Sequence, residues 1–80
     1  NLNSTIGHNA SIENYCSLMP TVNIAGNVHL SEAVFVGAGA SVINGLLVGP
    51  DTTIGAGAVV IRDVPGAITV AGIPAKQIIK

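Results

Sequence analysis

The chain has 80 residues, a formal net charge of −1, 49% apolar and only 9% charged side chains. One small domain is expected, and with no cluster of Lys or Arg, nucleic acid and anionic membrane surfaces are poor partners. Gly, Asn, Ser or Asp interrupts the apolar residues at short intervals, so no segment is long enough to span a bilayer. There is no signal-peptide pattern. One cysteine, Cys16, allows no internal disulfide, and a cytoplasmic location is the expectation.

In chain order, residues 1–5 carry a repeat that becomes explicit at Ile6. Ile6, Ile12, Leu18, Ile24, Leu30, Val36, Val42, Val48, Ile54 and Val60 recur at every sixth position. Four residues after each stands a small or medium residue: Ala10, Cys16, Val22, Val28, Val34, Ala40, Leu46, Thr52, Ala58 and Val64. A helix needs apolar spacings of three and four, and a strand needs strict alternation. A gapless period of six fits neither and predicts an all-β parallel β-helix of hexapeptide repeats, whose units bury apolar side chains against their neighbours.

Three hexads make one coil, so residues 18 apart stack in columns. The expected inward columns are Ile6, Ile24, Val42, Val60; then Ile12, Leu30, Val48; then Leu18, Val36, Ile54. Residues 1–65 would form about three coils. Residues 66–80 form a short C-terminal tail: Pro65-Gly66 turns, Ala67 to Ala71 is extended, and Gly72-Ile73-Pro74 breaks the chain. Ala75 to Lys80 is read as the start of a short helix lying as a lid over the last coil.

His8 sits at the third place of its hexad, outside the inward columns, where an imidazole can take up a proton near neutral pH. One coil on, the same column holds Gly26, then Asn44 and Arg62. A glycine there lets a ligand approach the backbone, and its N–H could bind a carbonyl oxygen. Cys16 reads as a small buried hydrophobe and His29 as an exposed corner residue. Ile54 to Val60 is Gly-rich but lacks the Lys-Ser/Thr of a nucleotide-binding loop. Arg62 and Lys76, two of three cations, lie toward the C-terminal end. Arg62 stands three coil spacings, roughly 14 Å, from His8.

Ile6-Gly7-His8-Asn9, Ala25-Gly26-Asn27-Val28, Ile54 to Val60, Asp63-Val64-Pro65 and the closing Gly72-Ile73-Pro74-Ala75-Lys76 together resemble the hexapeptide-repeat acyltransferases. Within these, the similarity is to the sialic-acid and sugar O-acetyltransferases and related UDP-amino-sugar N-acetyltransferases. It covers essentially the whole chain. The resemblance implies a left-handed coil, which periodicity alone does not specify, and a homotrimer with acetyl-CoA lying between two subunits. It implies transfer of acetyl to a hydroxyl or amine of a sugar or nucleotide sugar, with His8 as general base and direct transfer. Gly26 would hold the thioester end, Ala38 and Ala56 would flank the pantetheine arm, and Arg62 and Lys76 would meet the phosphates.

Relatives follow the catalytic histidine with Asp or Glu, where this chain has Asn9, able to orient the imidazole without charge. Where relatives often carry a second histidine near the acetyl group, this chain has Ser17. The N-terminal domain that grips the acceptor in relatives is not expected within these residues. A non-catalytic trimeric scaffold with a degenerate site is the alternative. A three-histidine zinc site, as in γ-class carbonic anhydrases of the same fold, does not suit His8 and His29. They lie 21 residues apart, in different columns, so no metal is expected.

Overall fold

A computed structural model describes residues 4–78. The chain winds as a three-sided parallel β-helix, each side built from two-residue strands. The first face is β1 (Thr5–Ile6), β4 (Asn23–Ile24), β7 (Ser41–Val42) and β10 (Val59–Val60). The second is β2 (Ser11–Ile12), β5 (His29–Leu30) and β8 (Leu47–Val48). The third is β3 (Ser17–Leu18), β6 (Phe35–Val36), β9 (Thr53–Ile54), β11 (Thr69–Ala71) and β12 (Lys76–Gln77).

The predicted columns are the observed register. Ile6 pairs with Ile24, Leu30 with Val48 and Val36 with Ile54. Ile24, Leu30, Val36, Val42, Val48 and Ile54 are fully buried, as are Val22, Val28, Val34, Ala40 and Ala58 from the second set. Burying each Val, Ile or Leu contributes about 1.5–3 kcal/mol. Thr52 shares this interior because its Oγ1 donates to the Gly49 carbonyl at 2.8 Å. Ile6 and Ile12 are exposed, since the first coil packs against a neighbour on one side only. Cys16 is half-buried rather than enclosed, its Sγ 3.1 Å from the Ser31 carbonyl.

Each face ends at a corner built the same way. The third residue after the inward apolar one has φ near +60 to +80°: Asn9, Tyr15, Thr21, Asn27, Ala33, Gly39, Gly45, Asp51, Gly57 and Ala67. The residue before it is Pro at 20 and 50, and Ala10 N–H donates to the Gly7 carbonyl across the bend. This is the pattern of a type II turn, which takes Pro second and Gly or Asn third. Asn9 therefore has a structural reason for its identity. Corners also stack, as Asn27 N–H donates to the His8 carbonyl at 2.9 Å.

The fourth coil departs from the sequence reading. Val64 is not the secondary residue of the Val60 hexad; it pairs with Val48 and so opens the next face. The chain has lost two residues at that corner, and the register shifts from 18 to 16, with Ile54 opposite Val70. Val60, Val64 and Val70 then complete a fourth inward layer, at most 7% exposed, where three coils were expected. Ala75 onward does not start a helix. Lys76 and Gln77 form β12, antiparallel to β11, on the open edge of the third face, while Gly72 and Ala75 bond Val59 on the first. A β-strand edge offers more backbone partners to six residues than an isolated helical turn does. Ile79 and Lys80 of the expected helix lie outside the described residues.

The corner rule sets an expected outcome. Ala33→Gly removes a left-handed side chain and should raise unfolding free energy by a few tenths of a kcal/mol, up to about 1. Gly57→Val should lower it by about 1–2 kcal/mol. Urea titrations followed by circular dichroism measure both, and equal midpoints would show that the corners carry no conformational cost.

Candidate functional site

The corner between the first and second faces gathers the column singled out in the sequence. His8 and Asn9 make its first turn, Gly26 and Asn27 its second, Asn44 and Gly45 its third, and Ile61–Asp63 its last. The His8 side chain is exposed, and no hydrogen bond engages it among the described residues. The Gly26 N–H likewise donates to no backbone acceptor. A Cβ at Gly26 would lie 3.0 Å from the His8 carbonyl oxygen and 3.4 Å from Asn44 Nδ2. The missing side chain thus leaves the Gly26 backbone bare beside His8, and the Asn44 carboxamide leans toward it from the coil beyond. Asn44 was in the column as read from sequence but carried no role there; the signal was its spacing of two coils from His8.

Ala38 and Ala56 stand at a different corner, between the third and first faces, both exposed. That corner and the His8 corner border the same first face. Outward along this face run Thr5, Asn23, Ser41 and Val59, with Thr5 Oγ1 donating to Asn23 Oδ1 at 2.5 Å. Ser17 is not brought to His8 within one chain. It projects from β3 on the third face, paired with Phe35. Half a coil of sequence, nine residues, necessarily carries a side chain to another face of a three-sided prism.

Arg62 and Lys76 do come together. They line one cleft with Ile61, Pro74 and Ala75 where the tail folds back over the first face, held by the Ala75 N–H to Val59 carbonyl bond at 2.7 Å. Arg62 also borders a second cavity of about 200 Å³ at the C-terminal end, floored by Val60, Val64, Ile68 and Val70. Neither cation makes an ion pair among the described residues.

Three of the four carboxylates lie elsewhere: Glu13, Glu32 and Asp51 stand at the corner of the second face with the third, the vertex opposite the first face. Asp63 ends the His8 corner instead, next to Arg62, its Oδ1 accepting from the Leu47 N–H at 2.8 Å. His29 is not a corner residue but sits outward on β5, half-buried, its Nε2 2.6 Å from Glu13 Oε2. His8 and His29 are thus on separate parts of the prism. Among the described residues no group of three or more His, Cys, Asp or Glu stands where it could hold a metal ion. Among the described residues no helix is long and apolar enough to cross a membrane.

No protein-family profile matches the chain. Serine acetyltransferase from Synechococcus elongatus is 40% identical over 91% of the chain. Perosamine N-acetyltransferase from Caulobacter crescentus, in a His-to-Asn mutant complexed with CoA and GDP-perosamine, superposes with a TM-score of 0.97 at 38% identity over 100% of the chain. Serine acetyltransferase from Neisseria gonorrhoeae gives 0.63 at 26% identity over 98% of it. The chain spans only about a third of these proteins: 33%, 38% and 39% of their lengths, respectively.

Two glycines at this corner should respond differently to a methyl group. At Gly7 a Cβ would collide with the Gly26 backbone nitrogen, and backbone cannot yield. Gly7→Ala should therefore cost about 1–3 kcal/mol. Gly26→Ala meets a carbonyl oxygen and a movable side chain, and should cost less than about 1 kcal/mol while covering the bare backbone beside His8. Thermal denaturation of the two variants separates them; equal losses would mean that Gly26 is needed for the fold rather than for space.

Proposed function

From the place of this chain among the β-helix domains of hexapeptide-repeat acetyltransferases, we propose that it is the donor-binding and transferring part of an acetyl-CoA-dependent acetyltransferase. The acceptor is a hydroxyl or amine of a sugar or nucleotide sugar. The observation that carries this reading is the first corner, where an exposed imidazole, an unpaired main-chain N–H and an emptied side-chain position stack within two coils. A sugar acceptor is favoured by the backbone match to the perosamine enzyme, at 0.97 against 0.63 for the Neisseria serine enzyme.

The steps follow from the groups present. The imidazole of His8 takes the proton from the acceptor O–H or N–H as that atom attacks the thioester carbonyl carbon. The carbonyl oxygen becomes an oxyanion, which the Gly26 N–H stabilises by donating a hydrogen bond to it. The tetrahedral species then collapses: the C–S bond breaks, the sulfur leaves as thiolate, and the imidazolium returns its proton to it. The products are free CoA and the acetylated acceptor. Asn9 orients the imidazole by hydrogen bonding. Ala38 and Ala56, with their small side chains, leave room for the pantetheine arm on the first face, and Arg62 and Lys76 receive the phosphates in their shared cleft.

Ser17 lies on another face of the same chain. It contributes to the acetyl end only if a second copy presents its third face to this corner, and a homotrimer with a site between subunits meets that need.

Calorimetric titration of acetyl-CoA and of CoA into the protein should show saturable binding. Replacing Arg62 and Lys76 together with Gln should weaken both ligands at least ~10-fold, since each charge-assisted bond contributes about 1.5–3 kcal/mol. No binding to a folded protein would favour the scaffold reading. In the full-length protein, His8→Ala should lower kcat by about 10²–10⁴ with donor affinity unchanged; undiminished turnover would remove the general base. Sedimentation velocity should report a trimer, and a monodisperse monomer would exclude the intersubunit site.

A further inference from the structure

We infer that Asn44 supplies a second oxyanion donor, its carboxamide N–H acting with the Gly26 N–H on the acyl oxygen of the donor. This rests on the acetyltransferase reading above and extends it to a residue two coils away from His8.

Three observations converge on it. Asn44 occupies the same corner position as His8 and Gly26, so stacking directs it along their column. Its Nδ2 lies 3.4 Å from the point a Gly26 Cβ would fill, so the amide leans toward Gly26 and is in contact range of it. And its carboxamide makes no hydrogen bond among the described residues, although an asparagine at a turn ordinarily bonds its own backbone. An amide leaning toward the coil below with both N–H groups unused is free to donate to what docks against the bare Gly26 backbone.

The chemistry suits the placement. A thioester oxygen docked outside the bare Gly26 backbone would meet the Gly26 N–H from the backbone side and the Asn44 N–H from the coil above, while His8 stands one coil below. Two donors converging on one oxygen strengthen their hold as charge develops in the tetrahedral species, which lowers the barrier more than it tightens ground-state binding. Asn44 does not serve as acid or base, since an amide does not titrate.

The test reads the carbonyl directly and needs no acceptor. Isotope-edited infrared spectra of [1-¹³C]acetyl-CoA bound to the full-length protein should show the thioester C=O stretch lowered from its value in water-free solvent. Asn44→Ala should forfeit roughly half of that displacement, one of two donors being gone. Asn44→Asp, of the same shape but facing the oxygen with an acceptor, should forfeit at least as much. Affinity for free CoA should change less than about twofold in both, and turnover should fall by about 10²–10³.

A stretch and kcat unchanged in both variants, with His8→Ala inactive, would overturn this inference and leave the acetyltransferase reading standing. Failure of the wild-type protein to bind acetyl-CoA would overturn both. The Asn44 side chain is exposed and unbonded, so folding of the variants is expected, and the isosteric Asp variant keeps the test open if the Ala variant is unstable.

Discussion

Each coil is tied to the next by two sets of backbone bonds. Along the strands the coils pair in parallel ladders, as from Thr5 N–H to the Val22 carbonyl at 2.9 Å. At the corners the later coil donates, as from Asn27 N–H to the His8 carbonyl. Neither set allows a coil to slide, because a slip that lengthened one would break the other. The vertical alignment of side chains follows from this lock. It makes columns of valine and isoleucine inside and columns of chosen chemistry outside.

The corner geometry also explains why a reactive group sits at the third place of a hexad. That residue precedes the positive-φ position, points away from the prism and donates its N–H to nothing in the chain, which is why proline fits there at 20 and 50. A side chain placed there displaces no core packing, and its backbone N–H stays available. The third place is thus the position of least structural consequence. The neighbouring Asn9 is different: its backbone has φ of 63°, so the fold itself favours Asn there.

Most of the fold was legible because a solenoid core is a one-dimensional code. Period six named the architecture and the inward columns without knowledge of distant contacts. The last coil was misread because Val64 fits two places, fifth in one hexad or first in the next, and only the pairing with Val48 decides between them. The strand at Lys76–Gln77 escaped because its cause is a partner edge, β11, that a local reading does not contain. At the site, the stacking of His8, Gly26 and Asn44 followed from arithmetic, but the direction of the Asn44 amide did not. Ser17 shows the converse limit: a position matched by analogy lands on another face, where one chain cannot use it.

A net charge of −1 conceals an uneven distribution. Three of the four carboxylates, Glu13, Glu32 and Asp51, crowd the vertex opposite the first face, while Asp63 stands next to Arg62 at the corner of the first and second faces. The two described cations share a cleft at the top of the first face. The prism is about 20 Å across, more than twice the screening length of about 8 Å at physiological ionic strength. In dilute salt the molecule therefore carries a transverse dipole that would turn a polyanion toward the cationic cleft before contact. At physiological ionic strength each pole is felt only from close by.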